Sequence, residues 1–319
     1  MRRTSNPRGL LRTEGERAMP AQKEVQMTGF NAARATDSTT RRVVKVVRGM
    51  PTSDGAGVKL RRVIGQPELS ELDPFLMLDE FGTDAPDDYI AGFPDHPHRG
   101  FETVTYMLDG RMRHRDNHGH EGVLVPGSVQ WMTAGRGIVH SEMPEQQAGR
   151  MRGFQLWLNL PARDKLTEPK YQEFGPERIP VAVPGDGVSV KVIAGQVGAV
   201  RGPISQPATD PTYLDLALRG GAQYVHELPD RHAAFMYVFE GAMRVGEGAD
   251  SRVVKAGELA VLGEGTDVRI TSESKGVESR AILVAGRPLH EPVARYGPFV
   301  MNTREQLIEA VQDFQNGKF

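Results

Sequence analysis

The chain has 319 residues, 39% of them apolar and 25% charged, with 36 glycines, 22 prolines and no cysteine. That length accommodates one large domain or two ordinary ones, and the turn-rich composition points to a mostly β protein. The lack of cysteine excludes a disulfide framework, a thiolate metal site and a thiol nucleophile, and it fits a reducing, cytoplasmic location. A formal charge of −2 gives no ground for direct nucleic-acid binding, which needs a clustered basic face.

The charge is unevenly spread. Residues 1–48 carry eleven Lys/Arg against four Asp/Glu, a net +7, which leaves −9 for the remainder. The head "MRRTSNPRGLLRTEGERAMP" has two arginines but no apolar stretch behind them, so it reads as neither a Sec nor a Tat signal. Residues 1–40 are expected to be a disordered basic extension, with Met19 and Met27 as alternative starts. No run approaches the roughly 18 apolar residues of a membrane span.

From residue 41 the pattern is that of short strands: "RRVVKVVRGM", then "VKLRRVIG", then "LDPFLMLDEF" over Leu72 to Phe81. Next comes "FPDHPHRGFETVTYML", with two histidines, His96 and His98, one residue apart. The segment "YMLDGRMR", followed by "VLVPGSVQWMTAG", recurs as "YVFEGAMRVGEG" followed by "VVKAGELAVLGEG". The pairs Asp109-Gly110 and Glu240-Gly241 are hairpin turns, because glycine tolerates the positive φ such turns need. A repeat of this length implies two like-folded β domains, each a jelly roll or small barrel. "LPARDKLTEPKYQEFGPERIPVAVPGDG" reads as a linker between them. At the end, "NTREQLIEAVQDFQNGK" predicts a helix with a Thr303/Gln306 capping box and Leu307, Ile308, Val311 and Phe314 on one packing face.

Six of the nine histidines fall between residues 96 and 140. Alternate residues of a strand share a face about 6.6 Å apart, so His96 and His98 offer two imidazoles to one point. "GIVHSEMP" repeats the device with His140 and Glu142. Together the two pairs form a candidate divalent metal site of three nitrogens and one carboxylate, suited to iron, manganese, cobalt, nickel or zinc rather than calcium. Four protein ligands leave an octahedral ion two open positions, unlike a closed structural zinc.

Glu102 shares the parity of His96 and His98 and rivals Glu142, although a straight strand would carry it about 13 Å beyond His98. His114, His118 and His120 read as exposed loop residues, and His226, His232 and His290 as isolated ones. Aligning the repeats on "YMLDG" and "YVFEG" puts Glu227 and Pro229 opposite His96 and His98, so no metal set is expected in the second copy.

"GQPELSELDPFLMLDEF", "HPHRGFETVTYML", "GSVQWMTAGRGIVHSEMP", "GFQLWLNLP" and "YGPFVMNTREQL" together resemble the pirin family of the cupin superfamily, from about residue 42 to the end. The resemblance implies an all-β bicupin of two jelly-roll β-barrels with a short C-terminal helix. Its expected division is a metal-binding domain over 41–165 and a metal-free one over 166–319. It further implies one Fe(2+) in the first domain, held by His96, His98, His140 and Glu142, which favours Glu142 over Glu102.

Two activities follow from the resemblance. One is a quercetin 2,3-dioxygenase, opening the central ring of a flavonol with O2 and releasing CO. Glu142 would then be a ligand or the catalytic general base, and Phe93, Trp131, Met132, Phe154 and Trp157 are candidate apolar walls. The alternative is a non-enzymatic, iron-dependent redox sensor that binds a transcription factor or enzyme partner. An isomerase or another cupin enzyme is a third reading, because fold does not fix function.

Overall fold

A computed structural model describes residues 39–274 and 276–319. The expected extension therefore lies outside the described residues, apart from Thr39 and Thr40. Among the described residues the chain is built of antiparallel strands, short 3-10 turns and one α-helix, Arg304–Gln315. The all-β jelly-roll architecture is as expected.

In the first lobe a seven-stranded sheet runs in the order Lys170–Phe174, Val129–Thr133, Phe101–Asp109, Met151–Asn159, Phe75–Thr83, Val58–Ile64, Met50–Asp54. A four-stranded sheet covers it, ordered Phe93–His98, Ile138–Pro144, Met112–Asp116, Glu121–Leu124. The second lobe repeats the plan, with Val43–Arg48, Glu258–Leu262, Ala233–Glu240, Ser279–Gly286, Thr212–Leu218, Val188–Ala194, Val181–Gly185 in its large sheet. Its small sheet is Gln223–Glu227, Asp267–Ser272, Ala242–Val245, Arg252–Lys255.

Two strands cross between lobes. Val43–Arg48 pairs with Glu258–Leu262 of the second lobe, and Lys170–Phe174 pairs with Val129–Thr133 of the first. The stretch expected to be a linker thus supplies two edge strands, Lys170–Phe174 to the first lobe and Val181–Gly185 to the second. Each crossing strand covers what would otherwise be an open sheet edge, a liability for mispairing.

The large sheets of the two lobes share one core, in which Val104, Tyr106, Trp131 and Phe154 meet Tyr213, Phe235, Tyr237 and Ile282. Buried hydroxyls need partners, and two matching clasps provide them for Tyr106 and Tyr237, while the Tyr213 hydroxyl has none among the described residues. Tyr106 donates to Asp215 at 2.6 Å, and Arg280 also donates to Asp215, at 2.7 Å. In mirror fashion Tyr237 donates to Glu80 at 2.5 Å, and Arg152 also donates to Glu80, at 2.9 Å.

The C-terminal helix carries the expected capping box, with Gln306 N donating to Thr303 Oγ1 at 3.3 Å and Thr303 N to Gln306 Oε1 at 3.2 Å. Its packing face is shallower than expected: Ala310 is its buried residue, while Ile308 and Phe314 are exposed. Phe314 packs instead against the rings of Phe299 and Phe319.

Candidate metal centre and cavity

Strand Phe93–His98 pairs with Ile138–Pro144 so that His96 lies opposite His140 and His98 opposite Ile138. Period two sends His96 and His98 to the same side, and the register brings His140 to them. One ring nitrogen from each of the three lies within 4.8 Å of the others. The ring centroids are 4.4 Å apart for His96 and His140, 4.7 Å for His96 and His98, and 5.0 Å for His98 and His140.

The chemistry of these nitrogens fits a metal. His98 Nδ1 and both ring nitrogens of His140 are buried without a hydrogen-bond partner. Such groups are costly unless something else satisfies them. Burial, reinforced by neighbouring histidines, holds His98 and His140 well below the usual imidazole range, so both stay neutral and keep a lone pair. His96 Nδ1 lies 2.8 Å from the Pro94 carbonyl, which fixes the proton on that nitrogen and leaves Nε2 as the donor atom. Three histidines are therefore positioned to bind a metal ion.

Glu142 lies on the same strand as His140 and lines the same cavity as His96 and His98. Its carboxylate is outside the tight three-histidine group. Burial pushes its pKa up, against the opposing influence of His96 and of a Thr105 hydrogen bond. Thr105 Oγ1 is 2.9 Å from Glu142 Oε1 and 2.6 Å from Gln155 Oε1, while Gln155 Nε2 reaches Glu142 Oε2 at 3.4 Å.

Glu102, the rival, points elsewhere. Its Oε1 accepts from Thr133 at 2.6 Å and from Gln206 of the second lobe at 2.5 Å. The cause is the corner Arg99-Gly100, which carries the chain from the small sheet to the large one and resets the parity. Gly100 has φ +86°, and a Cβ there would meet the Val300 carbonyl at 2.0 Å. Beyond that corner odd residues such as Thr105 face the first lobe's interior, where Thr105 meets Glu142 and Gln155, and even ones such as Glu102, Val104 and Tyr106 face the second lobe.

The cavity has a volume of about 610 Å3, a size that suits a small organic ligand. Of the expected walls, Phe93 and Trp157 line it. Trp131 and Phe154 belong instead to the core between the lobes, and Met132 packs with Ala134 and Ile138. Wall residues the sequence did not reveal are Met77, Asp79, Phe81, Gln155, Arg295 and Pro298. Gln155 and Asp79 carried a signal, each being polar directly beside a leucine in a largely buried strand; Arg295 carried none.

His114 also differs from expectation. It is buried on Met112–Asp116, opposite Glu142 on the neighbouring strand, with Nε2 2.7 Å from Glu173 Oε2. His118 and His120 are exposed as expected.

The second lobe has a different counterpart from the one alignment suggests. Its inward pairs are Tyr224 opposite Ile270 and His226 opposite Val268. Tyr224 and His226, rather than Glu227 and Pro229, therefore stand where His96 and His98 stand. The shift arises because residues 228–232 form a longer link to the next strand than Arg99-Gly100 does. His226 Nδ1 is 2.9 Å from the Tyr224 hydroxyl, and burial lowers its pKa to about 4. Among the described residues, only His96, His98 and His140 form a group of three or more that could hold a metal ion.

Two cupin folds packed through their larger sheets, the first with three histidines converging on a cavity, define a metal-site bicupin. Within that class the chain belongs to the pirin family: residues 57–158 match the family model for Pirin and residues 213–319 that for the Pirin C-terminal cupin domain. A pirin-like protein of Caulobacter vibrioides is 54% identical over 280 residues, 88% of this chain and 99% of its own. A Pseudomonas aeruginosa protein, provisionally named a quercetin 2,3-dioxygenase, is 51% identical over 285 residues, covering 87% and 97%. A solved structure of quercetin 2,3-dioxygenase from Acinetobacter baumannii superposes with TM-score 0.80 at 32% identity, covering 88% of this chain and 99% of that one. No helix among the described residues is long and apolar enough to cross a membrane.

Proposed function

We propose that the first lobe is a metal-dependent dioxygenase that opens the central ring of a flavonol such as quercetin, both atoms of O2 entering the products and CO leaving. The observation that carries this reading is the convergence of three imidazoles on a cavity of about 610 Å3 walled by Phe93 and Trp157. The likeness to proteins named for this activity supports it. His96, His98, His140 and Glu142 would hold one Fe(2+), and manganese, cobalt, nickel or zinc suit the same donors. When bound, the metal supplies Lewis acidity to the flavonol 3-hydroxyl and a centre for dioxygen.

Glu142 is the base that takes the hydroxyl proton. Thr105 has one proton and two acceptors within reach, Glu142 Oε1 and Gln155 Oε1. With Glu142 ionised, Thr105 donates to it; with Glu142 protonated, the carboxyl donates to Thr105 and Thr105 to Gln155. The 2.6 Å contact between Thr105 and Gln155 carries a hydrogen bond only in the second arrangement, so the geometry suits Glu142 holding the proton that a general base takes. Burial, which raises the Glu142 pKa, favours the proton-holding state. The cysteine-free sequence supports a cytoplasmic setting.

Iron-loaded protein mixed with quercetin in air is expected to consume oxygen, bleach the flavonol band and evolve CO. None of these in protein shown to be metal-replete would remove the dioxygenase reading and leave the redox-sensing one.

A further inference from the structure

The cavity holds a cation that the metal chemistry does not use. Arg295 lines the wall and lies over the Trp157 ring, its Cζ 4.8 Å from the ring centroid. The Trp157 ring is itself 5.2 Å from the His98 ring. Trp157 thus touches both the histidine cluster and the guanidinium, and His98, Trp157 and Arg295 line one cavity.

Arg295 is sparingly engaged. Its Nη1 reaches the Leu76 carbonyl at 3.5 Å and its Nη2 the Met77 sulfur at 3.9 Å, both at the outer limit of bonding. A guanidinium has five N–H donors. Of the carboxylates that act on it, Asp79, Asp54 and Glu71, the two that line the cavity are gripped by Arg62, Asp79 through Nε and Nη2 at 2.9 and 2.7 Å and Asp54 at 2.8 Å. Charge and donors on Arg295 thus remain for an incoming anion, on a surface where a flat ring can stack.

We propose that Arg295 is a specificity-determining residue, selecting planar aromatic substrates that carry a second acidic oxygen, a phenolate, carboxylate or sulfonate, remote from the histidine cluster. This rests on the aromatic-substrate reading above. The test is titration of metal-loaded protein by tryptophan fluorescence with quercetin and with quercetin sulfonate, alongside oxygen uptake, for the wild type, Arg295→Gln and Arg295→Lys. The wild type is expected to bind the sulfonate about tenfold more tightly, the scale of one charge-assisted hydrogen bond. Arg295→Gln should abolish that preference, Arg295→Lys should keep part of it, and metal content should stay unchanged in both.

An equal preference in Arg295→Gln and the wild type overturns the inference, with the dioxygenase reading intact if oxygen is still consumed. Loss of the preference in Arg295→Gln without oxygen uptake by any of the three proteins supports the inference and removes the dioxygenase reading. Failure of the wild type to bind either flavonol overturns both.

Discussion

The two lobes use one register for opposite ends. In the first lobe the pair facing inward on adjacent strands of the large sheet is Thr105 opposite Gln155; in the second the matching pair is Met236 opposite Leu283. Met236 and Leu283 sit in a continuous apolar core with Leu214, Leu216 and Val238. The first lobe's interior is broken into small apolar clusters, and between them lies the cavity. The polar pairs forgo the burial energy of their apolar counterparts, roughly 25 cal/mol per Å2, and keep a space lined with donors and acceptors instead. The second lobe is the core that lets the first one be a site.

That contrast can be broken by one or two substitutions at a time. The largest effect is expected for His140→Ala, which should lose the metal and lower flavonol turnover by about a thousandfold or more, since all metal-dependent steps go with it; metal analysis and oxygen uptake check this. Next is the replacement of the Thr105/Gln155 pair by the second lobe's Met and Leu. The double variant should fold, but its kcat/KM should fall by about a hundredfold, the scale of lost general-base assistance. Full activity in that variant would mean that the Thr105 relay plays no part.

A third prediction lies in the second lobe. His226 is neutral when folded, with its pKa depressed from 6.5 to about 4 by burial. Between those values the unfolded chain binds a proton that the folded chain does not. Its contribution is therefore complete above pH 6.5 and lost as pH falls toward 4, by on the order of 3 kcal/mol. Denaturant titrations from pH 7 to 4 should show a flatter decline for His226→Gln than for the wild type. The smallest effects belong to the clasps between lobes: Tyr106→Phe and Tyr237→Phe should each cost about 1 kcal/mol. Unequal costs would show that the pseudo-symmetry of the clasps is geometric and not energetic.

How much of this was legible in the sequence follows from locality. His96, His98 and His140 were readable because a strand's period of two is fixed, and two such pairs in a β repeat have one convergent arrangement. The capping box at Thr303 was equally local. Glu102 misled because the corner at Gly100 switches sheets and resets parity, which no spacing rule contains. Trp131 and Phe154 misled for a related reason: their strands have two apolar faces, one toward the cavity side and one toward the second lobe. Arg295 lies far along the chain from His98 and reaches the cavity through tertiary packing alone. His114, within "RHRDNHGHEG", looked like a loop until its strand found a partner. The crossing of Val43–Arg48 and Lys170–Phe174 leaves no mark on composition, since an edge strand looks the same whichever sheet it joins.

The most direct test of the account is the metal stoichiometry of natively purified protein, compared with His98→Ala and with His226→Ala. The account predicts one equivalent per chain in the wild type and in His226→Ala, and none in His98→Ala. A stoichiometric metal in His98→Ala, or its loss in His226→Ala alone, would place the site in the wrong lobe and contradict it.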